Sequence, residues 1–62
     1  MQIKKVIHKI TKDYNVIEYQ KTDNGNVVDV YFKVSYLEEN EYDVTFATLQ
    51  EAIDYINNLT FK

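Results

Sequence analysis

The side chains with catalytic potential in this 62-residue chain are few and match no catalytic motif. His8 is the single histidine, Ser35 the single serine, and there is no cysteine. A general base needs a positioned partner and a pocket, yet no carboxylate follows His8 at a matching helical spacing. Ser35 is expected in mid-strand with no triad. The sequence therefore predicts a protein that is not an enzyme, with no catalytic residue and no cofactor.

A calcium site is the metal hypothesis that the sequence raises. Asp23, Asn24, Gly25 and Asn26 form an acidic turn, and Asp29 follows it. The segment lacks the alternating ligands and the terminal Glu of an EF-hand loop. Asn-Gly between alternating segments is typical of a two-residue type I′ hairpin turn. We therefore expect a hairpin here and no metal site.

Carboxylates concentrate in one segment, which runs Glu38, Glu39, Asn40, Glu41 and then Asp43. In a meander this turn lies at the same end of the sheet as Asp13, and the C-terminus of a following helix adds partial negative charge there. The pattern predicts an anionic edge that binds the basic groove of a protein partner, including a groove that normally holds nucleic acid. A polar loop that only keeps the protein in solution is the alternative.

A second candidate interface is aromatic. Tyr14 and Tyr31, beside Val16, are predicted on the uncovered face of the sheet. Tyrosine is enriched in the cores of interfaces, although scattered exposed aromatic residues are also ordinary.

The elements that position these side chains follow from periodicity. Ile3, Val6, Ile7 and Ile10 have the i, i+3, i+4, i+7 spacing of one helical face, which predicts a first helix over about residues 2–12. The hairpin with Asn24 and Gly25 at its tip predicts a register, with one apolar face. In that register Tyr19 faces Val30, Ile17 faces Phe32, and Asn15 faces Val34.

The third strand and the last helix complete the prediction. Tyr42, Val44 and Phe46 are expected to point inward, and Thr48 with Glu51 forms a capping box. The buried stripe of the following helix is Leu49, Ala52, Ile53 and Ile56. The predicted fold is α+β, with α-β-β-β-α order in a single domain over residues 1–62. A three-stranded antiparallel meander carries both helices on one face.

Charge is unevenly distributed along the chain. Residues 1–12 hold Lys4, Lys5, Lys9 and Lys12 and no acid, whereas all ten acids lie in residues 13–62. The sequence pI of about 4.9 disfavours nucleic acid as a general partner. The four lysines still leave a small nucleic-acid-binding module as an alternative function. Double-stranded-RNA-binding domains share the predicted element order, but their lysine cluster at the start of the last helix is replaced here by residues 48–51, which carry no positive charge.

No apolar run is long enough to span a bilayer, and the N-terminal region lacks the apolar stretch of a signal peptide. We therefore expect a cytoplasmic protein with no membrane partner.

One family resemblance covers nearly the whole chain. It is carried by Ile3, Val6-Ile7, Ile10, Lys12-Asp13-Tyr14, Val16, the polar hairpin, and Asn40-Glu41-Tyr42-Asp43-Val44. In this pattern the chain resembles the small phage-encoded anti-CRISPR proteins that inhibit type II RNA-guided nucleases by mimicking PAM DNA. The resemblance implies the α-β-β-β-α fold and places Asp13, Glu38, Asn40 and Glu41 in the nuclease cleft whose arginines read the PAM guanines. Glu39 replaces the turn glycine of that family.

Three functions follow as hypotheses. The first is a non-catalytic phage or prophage inhibitor that binds a basic cleft as an acidic DNA mimic, with a type II CRISPR effector nuclease as one partner and no direct contact with nucleic acid. The second is the nucleic-acid-binding module that uses the first four lysines. The third is a structural or oligomerising phage accessory protein, since exposed strand edges promote self-association. We expect a monomer or a weak dimer in the first case.

Overall fold

A computed structural model describes residues 2–37 and 39–60, and these form one antiparallel sheet with a helix at its end. The elements are β1 (Gln2–Lys9), β2 (Tyr14–Asp23), β3 (Asn26–Tyr36), β4 (Asn40–Phe46) and α1 (Leu49–Thr60). The strand order is β1-β2-β3-β4, a simple meander. The molecule is elongated, at 43 × 20 × 18 Å. The predicted α-β-β-β-α order with two helices is wrong, because the first element is a strand.

β1 is a strand although neither of its sides is uniformly apolar. The segment is rich in Ile and Val, whose branched side chains favour strands over helices. All eight residues pair with β2, from Gln2 opposite Thr22 to Lys9 opposite Asn15. One side of β1 shows an alternation of Ile and Lys. It is accommodated because that side is not covered by a helix.

The connection from β1 to β2 is held by Thr11. Its hydroxyl oxygen accepts hydrogen bonds from the backbone N–H groups of Asp13 at 3.3 Å and Tyr14 at 3.0 Å. The N–H groups of Ile10 and Thr11 donate to the carbonyl of Tyr14. A short side-chain-capped turn of this kind reverses the chain without glycine or proline.

The β2–β3 hairpin has the predicted tip but not the predicted register. Asn24 and Gly25 both have positive φ, at 52° and 83°, as a type I′ turn requires. A β-bulge between Lys21 and Thr22 then shifts the pairing by one residue. The observed partners are Tyr31 for Tyr19, Lys33 for Ile17 and Ser35 for Asn15.

A one-residue slip turns every side chain of a strand to the other face. In β2 it is therefore Val16 that faces α1, while Asn15, Ile17 and Tyr19 point away. We call the side of the sheet that packs against α1 the helix face, and the other side the open face.

The core lies between the helix face and α1. Its buried members are Val16, Phe32, Val34, Ala52 and Ile56. Leu49, Tyr42 and Phe46 pack against them as predicted, but Val44 is 41% exposed. Thr48 caps α1 as predicted, since its hydroxyl oxygen accepts the N–H of Glu51 at 3.2 Å. Across residues 2–37 and 39–60, helical structure is too short and too polar to cross a bilayer.

The open face consists of four cross-strand rows. From the hairpin tip toward the other end they are Ile3, Lys21 and Asp29; Lys5, Tyr19 and Tyr31; Ile7, Ile17, Lys33 and Thr45; and Lys9, Asn15, Ser35 and Glu41.

Candidate binding surfaces

The predicted meeting of Asp13 with the acidic turn is confirmed. The backbone N–H of Leu37 donates to the carbonyl of Asp13 at 2.8 Å, which joins the turn after β3 to the turn before β2. Leu37 has a φ of 54°, a left-handed conformation that reverses the chain there. We call the exposed side chains at this end the acidic edge; they are Asp13, Glu39, Asn40, Glu41 and Asp43. Glu38, which was predicted to belong to it, lies outside the described residues.

Glu41 is held in place by a tyrosine from another strand. The hydroxyl of Tyr19 on β2 donates to Oε1 of Glu41 on β4, across the intervening β3. Burial of Tyr19, which is 7% exposed, and then the neighbouring Glu41 carboxylate raise the pKa of Tyr19 to about 12. Sequence reasoning missed this contact because the predicted register placed Tyr19 on the helix face. The bulge is the feature that turns it toward Glu41.

The helix runs toward the acidic edge, as expected. Tyr55, in the second half of α1, packs against Phe46 and against Tyr42, with ring centroids 5.4 and 6.1 Å apart. The helix therefore runs back along β4 toward the start of that strand. In the described part of α1 the last turn has no basic residue. The partial negative charge of the helix C-terminus thus adds to the negative potential of this end.

The predicted aromatic interface of Tyr14, Val16 and Tyr31 is wrong. Val16 is 0% exposed in the core. Tyr14 is half-buried on the helix face, edge-to-face with Tyr36 and Tyr42. Tyr31 alone of the three lies on the open face, so these residues share no surface.

His8 has a carboxylate partner, contrary to the expectation from sequence. Its Nε2 lies 2.9 Å from Oε1 of Glu18, on the helix face at the β1 side. The amide of Gln20 donates to the other oxygen of Glu18. The hydrogen bond from Gln20, followed by that from His8, lowers the pKa of the Glu18 carboxyl group. Sequence reasoning missed this contact because it did not predict the pairing of β1 with β2, which brings together residues ten positions apart.

The His8–Glu18 pair lies away from the pocket at the hairpin tip. Residues 2–37 and 39–60 contain no group of three or more His, Cys, Asp or Glu side chains that could hold a metal ion. A pocket lies at the hairpin tip, at the opposite end of the sheet from the acidic edge, and its lining is polar: Gln2, Thr22, Asp23, Asn24 and Gly25. The His8–Glu18 contact therefore links β1 to β2 outside any described pocket.

The open face carries cations and aromatic rings together. The rings of Tyr19 and Tyr31 are stacked, with centroids 5.0 Å apart and planes inclined by 10°. Nζ of Lys5 lies 5.3 Å from the Tyr19 centroid, and Nζ of Lys21 lies 5.8 Å from that of Tyr31. Sequence reasoning assigned Lys5 to a solvent-facing helix and so did not associate it with either ring.

Two polar side chains of the open face are buried without a hydrogen-bond partner. Asn15 is 3% exposed and Ser35 is 0% exposed, and the two residues pair across β2 and β3. Within the described residues, Oδ1 of Asn15 and Oγ of Ser35 have no partner. An unpaired buried polar atom typically costs about 1–3 kcal/mol.

Comparison with protein-family models, curated proteins and solved structures finds no match for this chain.

Proposed function

We propose that the protein is a non-catalytic binding protein whose acidic edge docks in a basic groove of another protein and takes the place of nucleic acid there. The hydrogen bond from Leu37 to Asp13 carries the proposal, because it joins two acidic turns that are far apart in sequence into one surface. Grooves of this kind occur on cytosolic nucleic-acid-binding proteins, so the proposal also places the protein in the cytoplasm.

The carboxylates of the edge are available to a partner. Among residues 2–37 and 39–60 the one ion pair within 4.0 Å joins His8 to Glu18. Within that part of the chain, Asp13, Glu39 and Asp43 therefore have no cationic neighbour at this distance, and all three are exposed. Complementary charge of this type guides association and selects partners more than it raises affinity.

Glu41 is the most constrained member of the edge. Its hydrogen bond to Tyr19 fixes the carboxylate before a partner arrives. A group held in its bound position loses less conformational entropy on binding. We therefore expect Glu41 to contribute more than a freely rotating carboxylate.

The first partner to test is a type II RNA-guided nuclease, on the resemblance of the acidic segment to the PAM-mimicking inhibitors. The element order that the resemblance implied is wrong for this chain, so the acidic edge alone supports this target. The arginines that read PAM guanines offer the basic groove that the edge requires.

The experiment measures target-DNA binding by a guide-loaded type II nuclease with and without the protein. Loss of DNA binding is expected, and it should be reversed when the edge is neutralised in the triple variant Asp13→Asn, Glu39→Gln and Glu41→Gln. The control variant removes the same charge away from the edge, at Asp23→Asn, Asp29→Asn and Asp54→Asn.

The experiment tests two claims separately: that the nuclease is the partner, and that the acidic edge is the binding surface. Unchanged DNA binding in the presence of the wild-type protein would refute this target. Inhibition that the control variant abolishes as fully as the edge variant would refute the acidic edge as the binding surface. Inhibition by the wild type should also weaken as salt is raised, since exposed charges are screened.

A further inference from the structure

The open face concentrates positive charge on an otherwise acidic protein. Four of the six lysines in the described chain belong to its rows; they are Lys5, Lys9, Lys21 and Lys33. Its carboxylates lie at the margins, with Asp29 opposite Lys21 in the first row and Glu41 on β4 in the last. The face as a whole therefore carries more positive than negative charge.

The aromatic pair on this face has one free side. β4 pairs with β3 only as far as Phe46 opposite Phe32, so among the described residues no strand lies beside Tyr31 on the side away from Tyr19. Tyr31 is half-buried, and its neighbour in the same row, Tyr19, supports its other side by stacking at 5.0 Å. The arrangement presents a partly exposed ring that Tyr19 supports on one side.

Apolar and uncharged polar side chains lie beside these lysines and tyrosines on the open face. Ile3 and Ile7 are 55% and 54% exposed on the same face. In the last row, the buried oxygens of Asn15 and Ser35 have no hydrogen-bond partner among the described residues.

We propose that the open face binds single-stranded nucleic acid. Lys5, Lys21 and Lys33 contact phosphates, and a base stacks on the free side of Tyr31. Sheet faces with aromatic side chains and surrounding cations are a recurrent platform for unpaired bases, because every base has a face that can stack and every nucleotide has a phosphate. A duplex offers no unstacked base, so the preference is for single strands.

The charge of the face argues against a second copy of this chain as its occupant. A face-to-face dimer would bring the four lysines of one copy against those of the other, and like charges in direct opposition are destabilising. The open face shares Glu41 with the acidic edge, but the lysines and Tyr31 that carry this proposal lie outside that edge, so either proposal can fail without the other.

The test measures the fluorescence anisotropy of labelled oligothymidylate and oligouridylate of about 12 nucleotides, at low salt. Binding to at least one is expected, and the pair of probes shows whether DNA or RNA is preferred. A hairpin duplex of the same length should bind more weakly. The logarithm of affinity should fall with the logarithm of salt concentration by about 0.7 per phosphate contacted.

Two variants locate the site. Tyr31→Leu should weaken binding by about five- to a hundredfold, the usual effect of losing one stacked base. The double variant Lys5→Gln and Lys21→Gln should lower the salt slope by about 1.4. The matched control is Lys4→Gln combined with Lys12→Gln; Lys4 sits on the helix face of β1, and Lys12 lies in the following turn. Circular dichroism verifies that each variant is folded.

Absence of binding to both oligonucleotides at low salt would overturn the proposal. So would equal losses in the control and open-face lysine variants, or unchanged binding by a folded Tyr31→Leu variant. The triple variant of the acidic edge should bind single strands at least as tightly as wild type, because it removes negative charge. That result would separate this surface from the acidic edge.

Discussion

Tyr19 joins the two surfaces at the scale of a single residue. Its ring stacks on Tyr31 within the open face, while its hydroxyl group donates to Glu41 of the acidic edge. The bulge between Lys21 and Thr22 is what turns this side chain away from α1. A substitution of Tyr19 should therefore change the stability of the fold, the position of the Glu41 carboxylate and the stacking of Tyr31.

The titration of Tyr19 should contribute to the pH dependence of the free energy of unfolding. The pKa of Tyr19 is raised to about 12, first by burial and then by Glu41, whereas an unfolded tyrosine titrates near about 10. A group whose pKa is raised on folding contributes stability below its unfolded pKa and loses that contribution as the pH rises through the folded value. The free energy of unfolding should thus fall between about pH 10 and 12.

Urea denaturation of the wild type and of Tyr19→Phe across this range provides the measurement. The variant should show a shallower fall, because it lacks the Tyr19 hydroxyl group whose pKa is raised on folding. Glu41→Gln should lie between the two, since it removes only the second cause of the shift. Identical slopes for wild type and Tyr19→Phe would contradict the assignment.

At the scale of elements, the corrected register makes a direct prediction about two valines. Val16 is 0% exposed beneath α1, and Val44 on β4 is 41% exposed. Val16→Ala should lower the free energy of unfolding by about 2 kcal/mol, through lost transfer energy and a residual cavity. Val44→Ala should change it by less than about 0.5 kcal/mol.

The register predicted from sequence places Val16 on the uncovered face and Val44 inward. It therefore predicts the larger loss of stability for Val44→Ala and the smaller one for Val16→Ala. Urea denaturation of both variants decides between them. A larger loss for Val44→Ala than for Val16→Ala would contradict the observed register.

Local signals in the sequence predicted some elements correctly. A type I′ turn requires positive φ at its two central residues, and Asn24 and Gly25 tolerate that conformation. Thr48 with Glu51 marks the start of a helix. The hairpin tip and α1 could therefore be predicted from a few adjacent residues. The meeting of Asp13 with the acidic turn also followed, because it depends on the direction of β2 and β3 and not on their register.

Non-local pairing was the part that could not be predicted. Ile3, Val6, Ile7 and Ile10 fit a helix as well as a strand, and only pairing with β2 decides between the two. A bulge has no reliable sequence signature, and this one reverses every side chain of β2 beyond it. The contacts of Tyr19 with Glu41 and of His8 with Glu18 depend on those pairings, and so does the whole open face.

At the scale of the molecule, charge is separated in space. The acidic edge lies where β2 begins and β3 ends, and the cationic rows cover the side of the sheet away from α1. The net charge of −3 therefore describes neither surface. A separation of this kind steers oppositely charged partners to different parts of the molecule.

The two outer strands of the sheet, β1 and β4, present unpaired backbone groups that could pair with another copy. β1 carries Lys4, Lys5 and Lys9 along its length, on both of its sides. Antiparallel pairing of two β1 strands would place these lysines near their counterparts, and like charges across strands are unfavourable. Charged edge residues are a common means of preventing such association.

We therefore expect the protein to be a monomer of 7.4 kDa by light scattering, with a mass that does not change with concentration. The double variant Lys4→Thr and Lys9→Thr keeps strand propensity but removes most of the charge from this edge, so its mass should rise with concentration. Lys12→Thr with Lys33→Thr removes the same charge away from the β1 edge and should remain monomeric. A wild-type dimer, or association of both double variants to the same extent, would show that the lysines of β1 do not keep the edge unpaired.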